Sequence, residues 1–206
     1  MAASSSSAVA PLRIGGPAPG FSVDALVGED FKKVSLGDFA GKYLVLFFYP
    51  LDFTFVCPSE ILAFEDNLAK FNAIGCAVVG ASVDSLYSHL AWTQSPRKAG
   101  GLGAPLSFPL IADLTKDVSN AYGAMLGDTG HTCRALYVID GKGDLRHASF
   151  NDAPVGRNID EVLRIVQAFQ HVDTHGQVCP INWTPGARTM HADPVKSREY
   201  FEAVNQ

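Results

Sequence analysis

The chain has 206 residues, 47% of them hydrophobic and 18% charged, the make-up of one packed globular domain rather than of a disordered or coiled-coil chain. Its formal charge is -5 and its 16 Lys and Arg are scattered, so no nucleic-acid partner is expected. The longest apolar run, Tyr43 to Tyr49, is far short of the ~20 residues a bilayer-crossing helix needs, so no membrane partner is expected either.

The opening MAASSSSAVA has neither the basic start and long apolar stretch of a secretory signal nor the repeated Arg of a transit peptide. It reads as a disordered tail over residues 1–12, with the cytoplasm as the default location. In a reducing compartment the four cysteines, Cys57, Cys76, Cys133 and Cys179, serve reactivity or metal binding rather than stapling.

After the tail, Phe31 to Leu36 reads as a short strand or hairpin, and Gly41-Lys42 turns the chain into the unbroken apolar run Tyr43 to Tyr49, which suits a central strand buried on both faces. Pro50 ends that strand, because proline cannot donate to a sheet ladder. The loop Leu51 to Val56 leads to Cys57-Pro58-Ser59-Glu60, where Pro58 suits the first helical position and Glu60 the first turn. Ile61, Phe64, Leu68 and Phe71 continue at helical spacing, and Gly75 closes the helix. The alternation goes on with a strand at Cys76 to Val83, a helix near Leu86 to Ser95, a strand at Phe108 to Ala112 and a helix near Lys116 to Tyr122, as in α/β folds. Ala135 to Asp140 and Leu145 to Phe150 flank Gly141-Lys142-Gly143 as an antiparallel hairpin, so the sheet is mixed. Ile159, Val162, Leu163, Val166 and Phe169 mark another amphipathic helix. The last 30 or so residues, with Cys179-Pro180, Trp183, Pro185-Gly186 and Pro194, read as an arm carrying a short helix near Lys196 to Ala203.

A cysteine at a helix start has physical reasons to ionise, because unpaired backbone N–H groups and the positive end of the helix dipole favour the thiolate. Cys57 holds such a position. Ionisation alone has a bounded value: a free thiol of pKa about 8.5 is about 3% thiolate at pH 7, so complete ionisation gains at most roughly thirtyfold. Greater rates need groups that stabilise the transition state. Thr54 offers a hydroxyl to the sulfur or to a bound oxygen, or else caps the helix, and Arg134 offers a fixed positive fork. Glu60 stands where a C-x-x-C dithiol would place its second cysteine, so a disulfide partner comes from elsewhere. Cys179, on an arm that can move, is a better candidate than Cys76, which opens a buried strand.

The segment Phe47-Phe48-Tyr49-Pro50-Leu51-Asp52-Phe53-Thr54-Phe55-Val56-Cys57-Pro58-Ser59-Glu60 resembles the typical 2-Cys peroxiredoxins. So do, in the same order, His89-Leu90-Ala91-Trp92, Gly100-Gly101-Leu102-Gly103, Asn151-Asp152, Pro154-Val155-Gly156-Arg157, His175-Gly176-Gln177-Val178-Cys179-Pro180 and Tyr200-Phe201, a resemblance running from about residue 13 to 203. It implies an α/β, thioredoxin-like fold over residues 13–170, with a central mixed sheet flanked by helices, and a C-terminal arm over 171–206. The implied activity is a thiol peroxidase acting on hydrogen peroxide, alkyl hydroperoxides and, by extension, peroxynitrite. Cys57 would be the peroxidatic thiolate in a pocket with Pro50, Thr54 and Arg134, and Cys179 the resolving cysteine, usually of the other subunit. Glu60 and Arg157 would support that pocket, the alternative being that they are surface polar residues. Gly100, Gly101, Leu102, Gly103, Tyr200 and Phe201 would slow unwinding of the Cys57 helix and so permit overoxidation. The implied partners are thioredoxin or a thioredoxin-like reductant and further copies of the chain, as dimers in a decameric ring. Larger assemblies with holdase activity are the alternative function.

Ser59 replaces the Thr more usual in that family, and Cys133 stands where an aromatic or small residue is usual. In a strand, Cys133 and Arg134 point to opposite faces, which makes Cys133 a buried structural thiol, with a third redox-active thiol as the alternative. His171, His175 and Cys179 fall at spacings of four, as zinc ligands can. Gly176 ends that helix, however, and histidines in a last turn suit the dipole without metal, so no metal or other cofactor is expected.

Overall fold

The computed structural model describes residues 12–205; apart from Leu12, the expected tail lies outside them. The chain forms two compact units, one ending at Arg157 and one beginning at Asn158.

In the first unit, β1 (Ser22–Val27) and β2 (Asp30–Ser35) form an antiparallel hairpin, followed by β3 (Tyr43–Phe48), α1 (Cys57–Asp66), α2 (Leu68–Ala73), β4 (Cys76–Ser82), α3 (Leu86–Gln94), β5 (Leu110–Ala112), α4 (Asp117–Ala121), β6 (Arg134–Ile139) and β7 (Leu145–Asn151). The strands make one seven-stranded sheet in the order β2-β1-β5-β4-β3-β6-β7. The inner trio β5-β4-β3 is parallel, and β1 and β6 close on it antiparallel from either side. The mixed sheet and the β6–β7 hairpin are therefore as expected.

β3 is buried at every residue, which explains its lack of polar alternation. Leu44, Leu46 and Phe48 join Val79, Ile111, Ala135, Tyr137 and Ile139 in the core on one face. Phe47, on the other, stacks on Phe64 of α1 with ring centroids 4.2 Å apart, so the apolar side of α1 locks onto the central strand.

Three departures have local causes. The single helix expected up to Gly75 is two, because Asn67 leaves helical geometry and its side-chain amide donates to the Ala63 carbonyl, competing with the backbone ladder. β5 starts at Leu110 rather than Phe108 because Pro109 has no N–H to give a neighbouring strand. β1 carries little sequence signal of its own, since Ser22 to Val27 alternates only weakly between apolar and polar residues.

The second unit holds α5 (Ile159–His175) and α6 (Arg198–Val204). Asn158 caps α5, its side chain accepting from the Glu161 N–H at 3.1 Å, and the helix ends before Gly176 as the sequence indicates. The helix runs unbroken through position 170, where a boundary was expected, so helix and arm belong to one unit. The arm is anchored rather than loose. Val178 and Met190 exchange backbone hydrogen bonds, Arg164 donates to the Trp183 carbonyl at 3.1 Å, and Trp183 is 3% exposed.

Candidate active site

Cys57 opens α1, where the first-turn N–H groups lack intrahelical acceptors, and its side chain is completely buried. Pro50, also buried, ends β3 and turns the chain into the 51–56 loop. Within that loop Phe53 takes a φ of 53°, an uncommon and costly conformation for an aromatic residue, so its surroundings must hold the loop in shape. Buried Asp52 does much of this: its carboxylate accepts from the Tyr49 hydroxyl at 2.9 Å and lies 2.8 Å from His89 Nδ1. The Thr54 hydroxyl donates to the Leu51 carbonyl at 2.9 Å. It neither caps α1 nor is bonded to the sulfur; Val56 is the cap residue, and no side chain caps there.

Opposite Cys57, strand alternation sends Arg134 of β6 toward α1 and Cys133 into the core cluster with Ala135, Tyr137 and Ile139. Arg134 Nη1 lies 3.4 Å from the Cys57 Sγ and 2.7 Å from Glu60 Oε2, while its Nε donates to the Ala153 carbonyl at 2.8 Å. Glu60, one turn after Cys57, also takes Arg157 as a fork: Nε on Oε1 and Nη2 on Oε2, both at 2.8 Å, with the Arg157 N–H on Oε1 at 2.9 Å. Arg157 Nη1 reaches the Phe48 and Ala135 carbonyls, and its guanidinium lies 5.1 Å from the Phe47 ring centroid. Glu60 is 5% exposed and both Arg side chains 4%, so the alternative that Glu60 and Arg157 are surface residues does not hold.

Two guanidiniums face one carboxylate in this water-poor cluster, which leaves a surplus of positive charge. The group it faces is the Cys57 sulfur, and a hydrogen bond from a guanidinium to sulfur is satisfied best by a thiolate. Burial pushes the Arg157 guanidinium below its usual range, and the Glu60 carboxylate opposes this. At the other three thiols burial outweighs any such help. Burial raises Cys76 to about 12 and also raises Cys133. Cys179, half-buried in the second unit, is raised by burial against the pull of Arg164, and its thiol contacts the Ala168 carbonyl at 3.6 Å.

Gly100 to Gly103 lie in the first unit at the end of α3, while Tyr200 and Phe201 lie on α6, their ring centroids 5.7 Å apart. His171 and His175 stack at 4.1 Å, and among the described residues no three His, Cys, Asp or Glu side chains converge as metal ligands would. Sequence reasoning gave no role to the Tyr49–Asp52–His89 group behind the loop. Its signal was a lone Asp in an aromatic loop and a lone His beside Leu90 and Trp92, charges that need partners when buried.

Residues 14–148 match the model of the AhpC/TSA family, and residues 168–203 match the C-terminal domain of 1-Cys peroxiredoxin. In this chain that second segment contains a cysteine, Cys179. The chain is 55% identical to Peroxiredoxin-2 of Bos taurus over 197 residues, covering 96% of this chain and 98% of that one. It is equally 55% identical to the mitochondrial thioredoxin-dependent peroxide reductase of Homo sapiens, covering 92% of this chain and 73% of that one. Its fold superposes on the reduced 2-Cys peroxiredoxin of Plasmodium vivax with a TM-score of 0.90 and 41% identity, over 93% of this chain and all of that one. A helix-start cysteine faced by an over-positive Arg–Glu–Arg cluster, set in a sequence and fold with these likenesses, identifies the chain as a member of the AhpC/TSA family and, within it, of the peroxiredoxins.

Proposed function

We propose that the chain is a thiol peroxidase that reduces hydrogen peroxide and alkyl hydroperoxides, with peroxynitrite as a further substrate. The observation that carries this reading is the Arg134 contact at 3.4 Å from the Cys57 sulfur, made by a guanidinium that also holds Glu60. The Cys57 thiolate attacks one peroxide oxygen; the S–O bond forms, the O–O bond breaks, and the departing oxygen takes up the proton released when the thiol ionised, leaving as water or alcohol, whereas peroxynitrite releases nitrite. Arg134 stabilises the charge that moves from sulfur to the leaving oxygen. Thr54 serves the pocket through loop shape in the resting site, with its hydroxyl free to exchange the Leu51 carbonyl for a peroxide oxygen, while Pro50 excludes water. Glu60 and Arg157 position Arg134.

The resulting sulfenic acid condenses with the thiol of Cys179 from a second subunit, forming the disulfide and releasing water. A thioredoxin-type dithiol then reduces that disulfide. Since Cys57 is wholly buried in the first turn of a helix, a second sulfur reaches it only when that turn unwinds. Gly100 to Gly103, Tyr200 and Phe201 oppose the unwinding and expose the sulfenate to a second peroxide.

Self-association as dimers in a ring of about ten subunits is supported by exposed aromatics around α3: Phe31 and Tyr87 pair edge-on at 5.4 Å, and Phe53 rests on Trp92 while still 55% exposed. A reducing compartment suits four unpaired thiols, and the cytosol is the location proposed, to be checked by fractionation. The activity test is peroxide-dependent NADPH consumption with thioredoxin and its reductase. Turnover by wild type and none by Cys57→Ser is the expected result; equal consumption by both would overturn the reading.

A further inference from the structure

α1 is held at both ends. Its first turn is fixed through Cys57 and Glu60, and its last turn by Glu65, whose Oε2 accepts the Ser107 backbone N–H at 2.9 Å and whose Oε1 accepts the Ser107 hydroxyl at 2.6 Å. Leu106 and Phe108, on either side of Ser107, are buried. Four residues upstream, the glycine-rich turn is clamped to the end of α3: the Trp92 indole N–H donates to the Gly100 carbonyl at 2.9 Å, the Leu102 N–H to the Trp92 carbonyl at 3.1 Å, and the Gly103 N–H to the Ser95 carbonyl at 2.9 Å. A Cβ on Gly101 would lie 2.1 Å from the Ser95 carbonyl oxygen, so this turn closes only with glycine there. Leu102 is fully buried beneath it.

We propose that Glu65 and Ser107 form a latch between α1 and this rigid turn, and that the latch sets how the Cys57 sulfenate divides between disulfide and sulfinic acid. The proposal rests on the peroxidase reading above. The two products compete for one intermediate. Condensation with a second thiol forms an S–S bond and releases water, and requires α1 to unwind; attack on a second hydrogen peroxide adds an oxygen to sulfur and releases water, with the helix still closed. Unwinding that spreads from Cys57 along α1 to its last turn must break the latch, so the latch weights the closed state. Its bonds are to a charged carboxylate but partly exposed, so losing them opens the helix roughly three- to tenfold more often. Neither residue touches Pro50, Thr54, Cys57 or Arg134, so the first oxidation is untouched.

The test compares wild type, Glu65→Gln, Ser107→Ala and the double variant. Three quantities are followed: stopped-flow oxidation of Cys57 by substoichiometric hydrogen peroxide, the later rate of disulfide formation, and the sulfinic fraction by intact mass across a peroxide series. The first rate should be unchanged in all four proteins. Disulfide formation should quicken roughly three- to tenfold in the variants, and the peroxide dose giving half sulfinic acid should rise by the same factor, with the double variant matching the stronger single one. Glu65→Asp, one methylene too short to reach both donors, should do the same while keeping its charge, which separates the latch from a general loss of fold. A wild type that cycles normally beside variants with the same product ratio overturns the latch alone. A wild type that forms neither product overturns the peroxidase reading and the latch with it.

Discussion

Cys57 is wholly buried and faces a guanidinium, whereas Cys179 is half-buried and its thiol contacts a main-chain carbonyl. Beside Cys57, Arg134, Glu60 and Arg157 form a paired network built from a helix, a strand and the segment after β7. Around Cys179 burial disfavours the thiolate, with Arg164 as the opposing charge. The difference suits the role proposed for each sulfur. Attack on a peroxide is limited by the charge that develops on oxygen, so rigid cations on a fixed scaffold lower that barrier. Attack on a sulfenic acid is limited by whether the two sulfurs can meet, so the second thiol needs delivery more than electrostatic help.

The largest expected break of this contrast is at the sulfur itself. Cys57→Ser should reduce peroxide consumption to background, whereas Cys179→Ser should leave the first oxidation at its wild-type rate and stop only disulfide formation, as burst kinetics will show. Arg134→Lys comes next. An ammonium has no second nitrogen to keep the Nε bond to the Ala153 carbonyl that orients Nη1 between the sulfur and Glu60, so the second-order rate with peroxide should fall roughly 10²-fold in stopped flow. Glu60→Gln leaves two buried guanidiniums without a counter-charge and should cost about 3 kcal/mol of stability by denaturant titration, with the rate loss following from a displaced Arg134.

The smallest effect is in the pH dependence of stability. Burial pushes the His89 imidazole down, but the Asp52 carboxylate and the Ile111 carbonyl outweigh it and hold the group above its ordinary 6.5. A raised cation stabilises the fold fully below its unfolded value and loses that contribution as pH rises through its folded one. Wild type should therefore lose stability above about pH 6.5 more steeply than His89→Gln, in denaturant titrations taken at stepped pH. Parallel slopes would mean that His89 is neutral in the fold.

Much of the catalytic half was legible in the sequence because local signals coincide there. The apolar run ending at Pro50, the Cys-Pro pair opening a helix, and the strand alternation at Cys133 and Arg134 each point one way, and the structure agrees. The supporting network was harder to read, since its members are distant in sequence and become neighbours only when β6 pairs with β3. Arg157, in Pro154-Val155-Gly156-Arg157, reads locally as a loop cation yet ends under Phe47 and on Glu60. Thr54 shows the reverse, a side chain with several local possibilities whose resting bond goes to the Leu51 carbonyl instead. The break at Asn67 was hidden because apolar spacing continues across it.

The most direct test of the central claim, that the Arg–Glu–Arg cluster makes Cys57 the reactive thiol, is residue-resolved mass spectrometry of reduced protein quenched milliseconds after half an equivalent of hydrogen peroxide. The account predicts oxidation at Cys57 alone, passing with time into a Cys57–Cys179 disulfide, with Cys76 and Cys133 still labelled as free thiols throughout. Oxidation spread among the four cysteines, or appearing first at Cys133 or Cys179, would contradict it.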